Sequence, residues 1–508
     1  MNGAEPDTPP NSPDPSGRPT TPPEPPPLGD MDPDTFRRYG HAVIDRIAEY
    51  LAHPERWPVL ARTAPGELRA GLPATPPAEP EPFDAMLEDF DRLILPATTH
   101  WNHPGFFAYF AVSSPAVGIL AETLAAALNV NAMLWRTGPA ATELEQIALD
   151  WLRQLLGLPA GLTGVINDTA SSSTLYALAA AREAAADLHI REHGLAGRAD
   201  VPRMRVYCSE EAHSSVDKAV LTLGLGLDGT RRIPTDDAFR LDTAALEDAI
   251  AEDRAAGIRP LAVVATVGTT STTAIDPVPQ IAGICERESL WLHVDAAYGG
   301  AAAVIPEMRH VLDGCERADS IVVNPHKWLF VPIDCSALYT RRPDVLRRAF
   351  SLVPEYLSVP EHEAAAMNLM DYGVSLGRRF RALKLWFTLR YFGVTGLADR
   401  LREHIRLARL FADRVDASPL FERLAPVTFS VVVFRYRPDG ISEDEADALN
   451  ARLLERLNAT GEVFLSHTRV RGRFALRLAV GNLRTTQAHV ERAWTLVDAL
   501  ARDVGAGR

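Results

Sequence analysis

Lys327 stands in the short segment Asn324-Pro325-His326-Lys327-Trp328, directly after the apolar, strand-like run Ser320 to Val323. A lysine amine attacks carbonyls and can hold an aldehyde cofactor covalently. An isolated loop lysine is ordinarily just a solvated cation. Lys327 has company, however. Upstream, Trp291-Leu-His-Val-Asp295 reads as a short buried strand that delivers an aspartate at its carboxyl end, followed by Ala296-Ala297-Tyr298-Gly299-Gly300. Open α/β sheets place their ligand crevices at that end of their strands. A carboxylate there suits the pyridine nitrogen of pyridoxal phosphate (PLP). It keeps the ring nitrogen protonated, and the ring can then accept the electron pair left when a bond to a substrate's α-carbon breaks.

Two further segments carry complementary groups. Gly164-Val-Ile is strand-like, and Asn167-Asp-Thr-Ala-Ser-Ser-Ser-Thr174 then opens a helix carrying Leu175, Leu178 and Arg182. Small hydroxyl residues at a helix start suit a phosphate, because free N–H groups and the positive end of the helix dipole point at it. Serine-rich starts are also ordinary caps. In Glu211-Ala-His213-Ser-Ser-Val-Asp-Lys218, the His213 imidazole is flat enough to stack on a pyridine ring and titrates near neutral pH; a lone histidine at a helix start is more often a cap or solvated. Gly224-Leu-Gly226-Leu-Asp-Gly229 imitates a dinucleotide-binding glycine pattern. That fingerprint needs a strand before it and a helix after it. Here the helical pattern Val216 to Leu223 comes first and strand-like Arg231 to Pro234 follows, so the glycines read as a helix-ending turn.

Taken in order from Thr169 to Lys327, these segments resemble the group II PLP-dependent decarboxylases, most of all their aromatic-L-amino-acid decarboxylase branch. Similar segments run from Phe36-Arg-Arg-Tyr-Gly40 through His100-Trp101 and Phe107-Ala-Tyr-Phe110 to Leu376-Gly-Arg-Arg-Phe380 and Ala488-His-Val-Glu-Arg-Ala-Trp494. The resemblance implies an α/β protein of PLP-dependent transferase fold type I, aspartate aminotransferase-like. Its parts are a large domain on a mainly parallel sheet, a smaller α+β C-terminal domain, and an N-terminal helical layer packed on the partner of an obligate homodimer, with active sites at the subunit interface. It implies Lys327 as the cofactor's attachment point and Asp295 as the partner of the pyridine nitrogen. His213 and Ala297 then cover the two ring faces, Thr266 faces the same site, and Ala170, Ser171, Ser320, Asn324 and His326 form the phosphate cup. Asp168 departs from the family, which often has a small residue there. A carboxylate beside a phosphate dianion is repulsive, so the Asp168 side chain must point away.

The resemblance also carries the chemistry. The catalytic set is Lys327, His213, Asp295 and Tyr356. Tyr356, in Phe350-Ser-Leu-Val-Pro-Glu-Tyr356-Leu, matches the family tyrosine that protonates the α-carbon after CO₂ leaves; members with phenylalanine there form aldehydes in an oxygen-dependent reaction. Trp101, Tyr109, Phe110, Val112, Met133 and Gly377 match the substrate pocket, with Asn131 and Met133 reaching it from the other subunit. Such walls favour a flat aromatic side chain. Gly377, where relatives that take phenols can carry serine, leaves room for an indole. Arg136 keeps an acidic substrate open, beside its reading as an interface or surface ion pair. The expected reaction is decarboxylation of an aromatic L-amino acid, tryptophan, tyrosine, phenylalanine or a hydroxylated relative, to the amine and CO₂. The alternatives are an aldehyde synthase, a transaminase, an acidic-amino-acid decarboxylase or, least favoured, an inactive dimeric scaffold.

The elements that must position these groups are legible at coarse grain. Apolar runs near Val206, Leu261 to Thr266, Trp291 to Val294 and Ile321 to Val323 alternate with helical patterns, as a mainly parallel sheet requires. Residues 116–384 are expected to form the PLP-binding domain and 385–508 the smaller domain, with strands at Phe429 to Phe434 and Phe474 to Val480. In the dimerisation segment 32–115, Phe36, Val43, Ile44, Ile47 and Leu51 recur at helical spacing. Residues 1–31 are proline-rich and polar, the composition of a disordered tail.

Composition narrows the function classes. The chain has 508 residues, 46% hydrophobic and 23% charged, enough for a large core in two or three domains. A net charge of -14 and a pI near 5.5 argue against nucleic acid or an anionic membrane as partner. No apolar run is long enough to span a bilayer, and the first thirty or so residues lack the pattern of a signal peptide; a cytoplasmic location is expected. Cys208, Cys285, Cys315 and Cys335 have neither paired nor zinc-site spacing, and no metal is expected.

Overall fold

In the computed structural model, residues 29–352 and 366–506 are described. Tyr356 and the expected tail up to residue 28 lie outside the described residues. Residues 1–52 and 53–508 form two compact units. In the first, Asp32 caps the helix Pro33–Ala52 by accepting from the Thr35 N–H at 3.0 Å. No residue of that helix is buried.

The second unit is built on a seven-stranded sheet of order β1-β7-β6-β5-β4-β2-β3. Its strands are β1 (Thr163–Asn167), β2 (Met204–Ser209), β3 (Thr230–Ile233), β4 (Arg259–Thr266), β5 (Trp291–Asp295), β6 (Ser320–Val323) and β7 (Ser336–Thr340). Pairings from β3 through β6 are parallel, while β7 runs antiparallel to both β6 and β1. The sheet is thus mainly parallel, and β1, β2, β4, β5 and β6 point their carboxyl ends to one edge. The central strands β5 and β6 are buried along their whole length, which explains their unbroken apolar runs. Each fully buried valine or leucine contributes about 1.5–3 kcal/mol, so the middle of the sheet is a rigid platform for whatever its strand ends carry.

A second, antiparallel sheet of order β10-β11-β9-β8 holds β8 (Phe421–Arg423), β9 (Val431–Tyr436), β10 (Ser466–Val470) and β11 (Arg473–Ala479). The segment around Phe107 threads against it: Phe107 N–H donates to Phe464 O, and Ala479 N–H donates to Phe107 O, both at 2.9 Å. This seam carries Phe110 toward the large sheet. The change of sequence pattern near Leu385 falls inside the long helix Ala382–Asp416, which breaks at Gly393 (φ 61°). The dinucleotide-like glycines form the expected turn. The helix Ser215–Thr222 ends just before Gly224 (φ 77°) and Gly226 (φ 72°), left-handed conformations that favour glycine, and β3 follows.

Candidate active site

Five strand ends converge on a cavity of about 200 Å³ lined by Phe110, Thr169, Ala170, Ser171, His213, Thr266, Gly268, Thr270, Asp295, Ala297, Tyr298, Asn324, His326 and Lys327. Register explains part of the convergence, since Thr266 on β4 lies beside Asp295 on β5, and Asp295 beside Val322 on β6. One end is a helix start. Thr169 caps the helix Ala170–Ala184, its hydroxyl accepting from Ser172 N–H at 3.5 Å, and the N–H groups of Ala170 and Ser171 have no partner among the described residues. His326 completes that end. Its Nδ1 accepts from Cys335 N–H at 2.9 Å, which leaves Nε2 to carry the proton. Burial lowers its pKa to about 4, helped by neighbouring Lys327, so the ring is neutral.

At the opposite end, Asp295 Oδ1 accepts from Ala297 N–H at 3.1 Å. His213, anchored by Ser215 N–H at 3.1 Å, is held below its ordinary pKa; desolvation outweighs the pull of Asp295, and Lys327 pushes the same way as desolvation. The Lys327 amine also lies below its usual value, through burial first, with Asp295 opposing and Arg477 assisting. The lip of β4 is fixed by Asp276, whose carboxylate accepts from Thr266 and Leu241 N–H, both at 2.8 Å, and is raised by burial to about 6.

The donor set fits PLP. A buried oxygen with no partner among the described residues, Thr266 Oγ1, belongs to a residue that lines the cavity, beside helix-start N–H groups for an anion, a carboxylate for a ring nitrogen and an amine for a carbonyl. The amine can be assigned by exclusion as well. The chain has three lysines; Lys218 is exposed, and Lys384 is buried in an ion pair with Glu122. Lys327 alone of the three lines this cavity.

Several sequence expectations are placed elsewhere. Ser320 is not at the phosphate end. It begins β6, so the whole strand, roughly 13 Å at 3.3 Å per residue, separates it from Asn324; its hydroxyl accepts from Trp291 Nε1 and bonds His293 Nδ1, each at 2.9 Å. Asp168 turns away, as the repulsion argument requires. Its Oδ1 accepts from Thr169 N–H at 2.7 Å, and it lines a separate cavity with Tyr176, Arg381 and Gly377. Of the proposed substrate wall, Phe110 lines the Lys327 cavity, whereas Trp101, Tyr109, Val112, Met133 and Gly377 do not. Trp101 and Tyr109 stack on each other at 5.9 Å and are partly exposed, and Val112 is half-buried. Met133 packs against Leu134 and Met370, and Asn131 Oδ1 accepts from Arg378 N–H, which draws the segments around Met133 and Gly377 together. Arg136 is exposed and also absent from the cavity wall.

Sequence reasoning gave no role to five residues here: Tyr298, Trp328, His404, Asn482 and Arg477. Trp328, Tyr298 and Phe110 form a column, with centroids 4.7 Å and 3.6 Å apart and planes 13° apart in both pairs. His404 fixes its base: Trp328 Nε1 donates to His404 Nδ1 at 3.0 Å, so His404 Nε2 must donate to Asn482 O at 3.1 Å. Asn482 Nδ2 in turn donates to Trp101 O at 2.8 Å, tying the aromatic segment to the lysine turn. Arg477 sits over Phe110, its guanidinium carbon 4.7 Å from the ring centroid. Its sequence signal is a lone arginine in the otherwise apolar run Phe474 to Val480.

Comparison with known proteins agrees with this geometry. Residues 65–437 match the model of the pyridoxal-dependent decarboxylase conserved domain. A tryptophan decarboxylase of Camptotheca acuminata is 41% identical over 92% of this chain and 94% of its own. A phenylacetaldehyde synthase of Petunia hybrida is 40% identical over the same shares. The crystal structure of Oryza sativa TDC with PLP and tryptamine superposes with a TM-score of 0.89 at 39% identity, covering 94% of this chain and 99% of that one.

Proposed function

We propose, from the premise that this chain belongs to the pyridoxal-dependent decarboxylase family, that the cavity around Lys327 removes the carboxylate of an aromatic L-amino acid as CO₂ and leaves the amine. The carrying observation is the convergence in one cavity of the Lys327 amine, the Asp295 carboxylate, the helix start at Ala170 and the Phe110 ring. PLP, when bound, supplies a ring that accepts the electron pair released at the substrate's α-carbon. The protein residues do the rest. Ala170 and Ser171 N–H groups and His326 Nε2 would hold its phosphate, and Asp295 would keep a proton on its ring nitrogen. Lys327 would hold its carbonyl carbon until the substrate's amino group takes that place. His213 and Ala297 would cover its two faces and exclude water.

Phe110, backed by Tyr298, offers a flat apolar wall that suits an aromatic side chain. Gly377 supports an indole, since an added Cβ there would meet only Asn131 Nδ2, at 3.9 Å. The test is a panel of tryptophan, tyrosine, phenylalanine and glutamate with quantified amine and CO₂. Tryptophan is expected to give the largest kcat/KM and glutamate none; turnover of glutamate in preference to the aromatics would refute the substrate reading.

A second reading, aldehyde synthesis, is kept because a phenylacetaldehyde synthase is nearly as similar as the decarboxylases. Tyr356, matched from sequence to the α-carbon's proton donor, separates the two. Tyr356→Phe is expected to move product in air from amine toward aldehyde, with ammonia and peroxide released, while KM changes little. An unchanged amine yield at the wild-type rate would remove Tyr356 from the mechanism.

The active unit is read as a homodimer. Leu120, Leu124 and Leu128, at four-residue spacing on the helix Ala116–Leu128, are 50–62% exposed, an apolar stripe that a second copy would bury. Met133 and Gly377 would then complete the partner's cavity rather than their own. Sedimentation as a monomer at working concentration would contradict this. Among the described residues, no helix is long and apolar enough to cross a membrane. A cytoplasmic location is supported by four buried, unpaired cysteines and is tested by fractionation of the native cells.

A further inference from the structure

Arg477, on β11, is 4% exposed, yet no carboxylate among the described residues lies within ion-pair distance of it. Nη1 donates to Ala108 O at 2.9 Å, while Nε and Nη2 have no partner among the described residues. Burial lowers its pKa to about 10, which still leaves it a cation at neutral pH. A buried charge without a counter-charge is costly and calls for a compensating role. Its neighbour supplies one. The guanidinium carbon lies 4.7 Å from the Phe110 centroid, Lys327 Nζ lies 5.2 Å from the same centroid, and Tyr298 stacks on that ring at 3.6 Å. The Arg477 guanidinium and the Lys327 amine are therefore at most about 10 Å apart, in buried surroundings that screen little.

We propose that Arg477 is a positioning residue for cofactor attachment: from its place beside Phe110, its fixed positive charge disfavours an ammonium at Lys327 and keeps that amine neutral and nucleophilic. This rests on the reading of Lys327 as the attachment point. The groups that face Lys327 divide cleanly. Asp295, on β5, favours the ammonium, and Arg477, on β11, opposes it. Burial holds the His326 ring neutral, desolvation keeps His213 below its ordinary pKa, and the Tyr298 phenol stays protonated, bonded to Ser430 Oγ at 2.5 Å. Without Arg477, burial alone would oppose the pull of the carboxylate on the amine.

The experiment uses full-length apoprotein mixed with PLP across a pH series, following the absorption of the attached cofactor near ~420 nm. The attachment rate rises as the amine loses its proton, so its midpoint reports Lys327. Arg477→Met removes the charge but keeps length and apolar bulk, and should raise the midpoint by about one unit, slowing attachment at neutral pH about tenfold. Arg477→Gln, which can still donate to Ala108 O, should do the same and covers the case in which the methionine variant folds poorly. Arg477→Lys should return the midpoint to within about 0.3 units of wild type. A uniform slowing with the midpoint unmoved would make Arg477 merely structural and overturn the proposal, as would a lysine variant displaced as far as the methionine one. If wild type forms no such band, the attachment reading itself has failed, a distinct outcome.

Discussion

Lys327→Ala is expected to reduce turnover to background, a loss of roughly 10⁴-fold or more, as when the nucleophile of a catalytic unit is removed. The size of the effect follows from the scarcity of substitutes. Lys218 is exposed, Lys384 is locked to Glu122, and neither lines the cavity. Without the Lys327 amine, nothing in the site can hold the cofactor's carbonyl carbon or be displaced from it by the substrate. The fold should survive, because the side chain lines a cavity and makes no ion pair among the described residues, so circular dichroism and melting temperature should stay close to wild type. The check is single-turnover and steady-state amine release from the purified variant with excess PLP. Activity within tenfold of wild type would remove Lys327 from the mechanism.

Asp295→Asn should lower kcat by about 10²–10⁴-fold, the range expected when a group that controls a proton in the transition state is lost. The substitution keeps the side chain's shape, and the amide oxygen can still accept from Ala297 N–H, which Asp295 now binds at 3.1 Å. What disappears is the negative charge that holds a proton on the pyridine nitrogen. KM should change much less, since the helix start and His326 still bind the phosphate. A fall in KM-controlled binding with kcat preserved would show that the aspartate only shapes the site.

The parts of this site legible in the sequence are those written locally. Asp295, Thr266 and Lys327 follow apolar runs, and Ala170 opens a helix directly after a strand, so each falls at the carboxyl edge of the sheet once the strands are found. Ser320 failed that test because it sits at the wrong end of its strand. Sequence proximity to Asn324 hid the intervening length of β6. The substrate wall was harder for a different reason. Met133 and Gly377 are separated by more than two hundred residues, and their segments are drawn together by the hydrogen bond from Arg378 N–H to Asn131 Oδ1, which no periodicity encodes. The column beneath Lys327 is longer-ranged still: His404 links Trp328 to Asn482, and Arg477 reaches Phe110 from another sheet. Burial of a histidine or an arginine can be suspected from an apolar context, but its partner is set by the tertiary fold. For the fold itself, the unbroken apolar strands marked the parallel sheet. The antiparallel return of β7, and the seam that binds Phe107 to the small sheet, appear only in three dimensions.

The central claim is that Lys327 carries PLP in the cavity at the sheet's carboxyl edge. Borohydride reduction of the PLP-loaded protein fixes the cofactor to its lysine, and peptide mass mapping then locates it. Because the chain has three lysines, the answer is discrete. The account predicts the phosphopyridoxyl mass on the peptide containing Lys327, at close to one per chain, and none on the other two; label on Lys218 or Lys384 with Lys327 unmodified would contradict it.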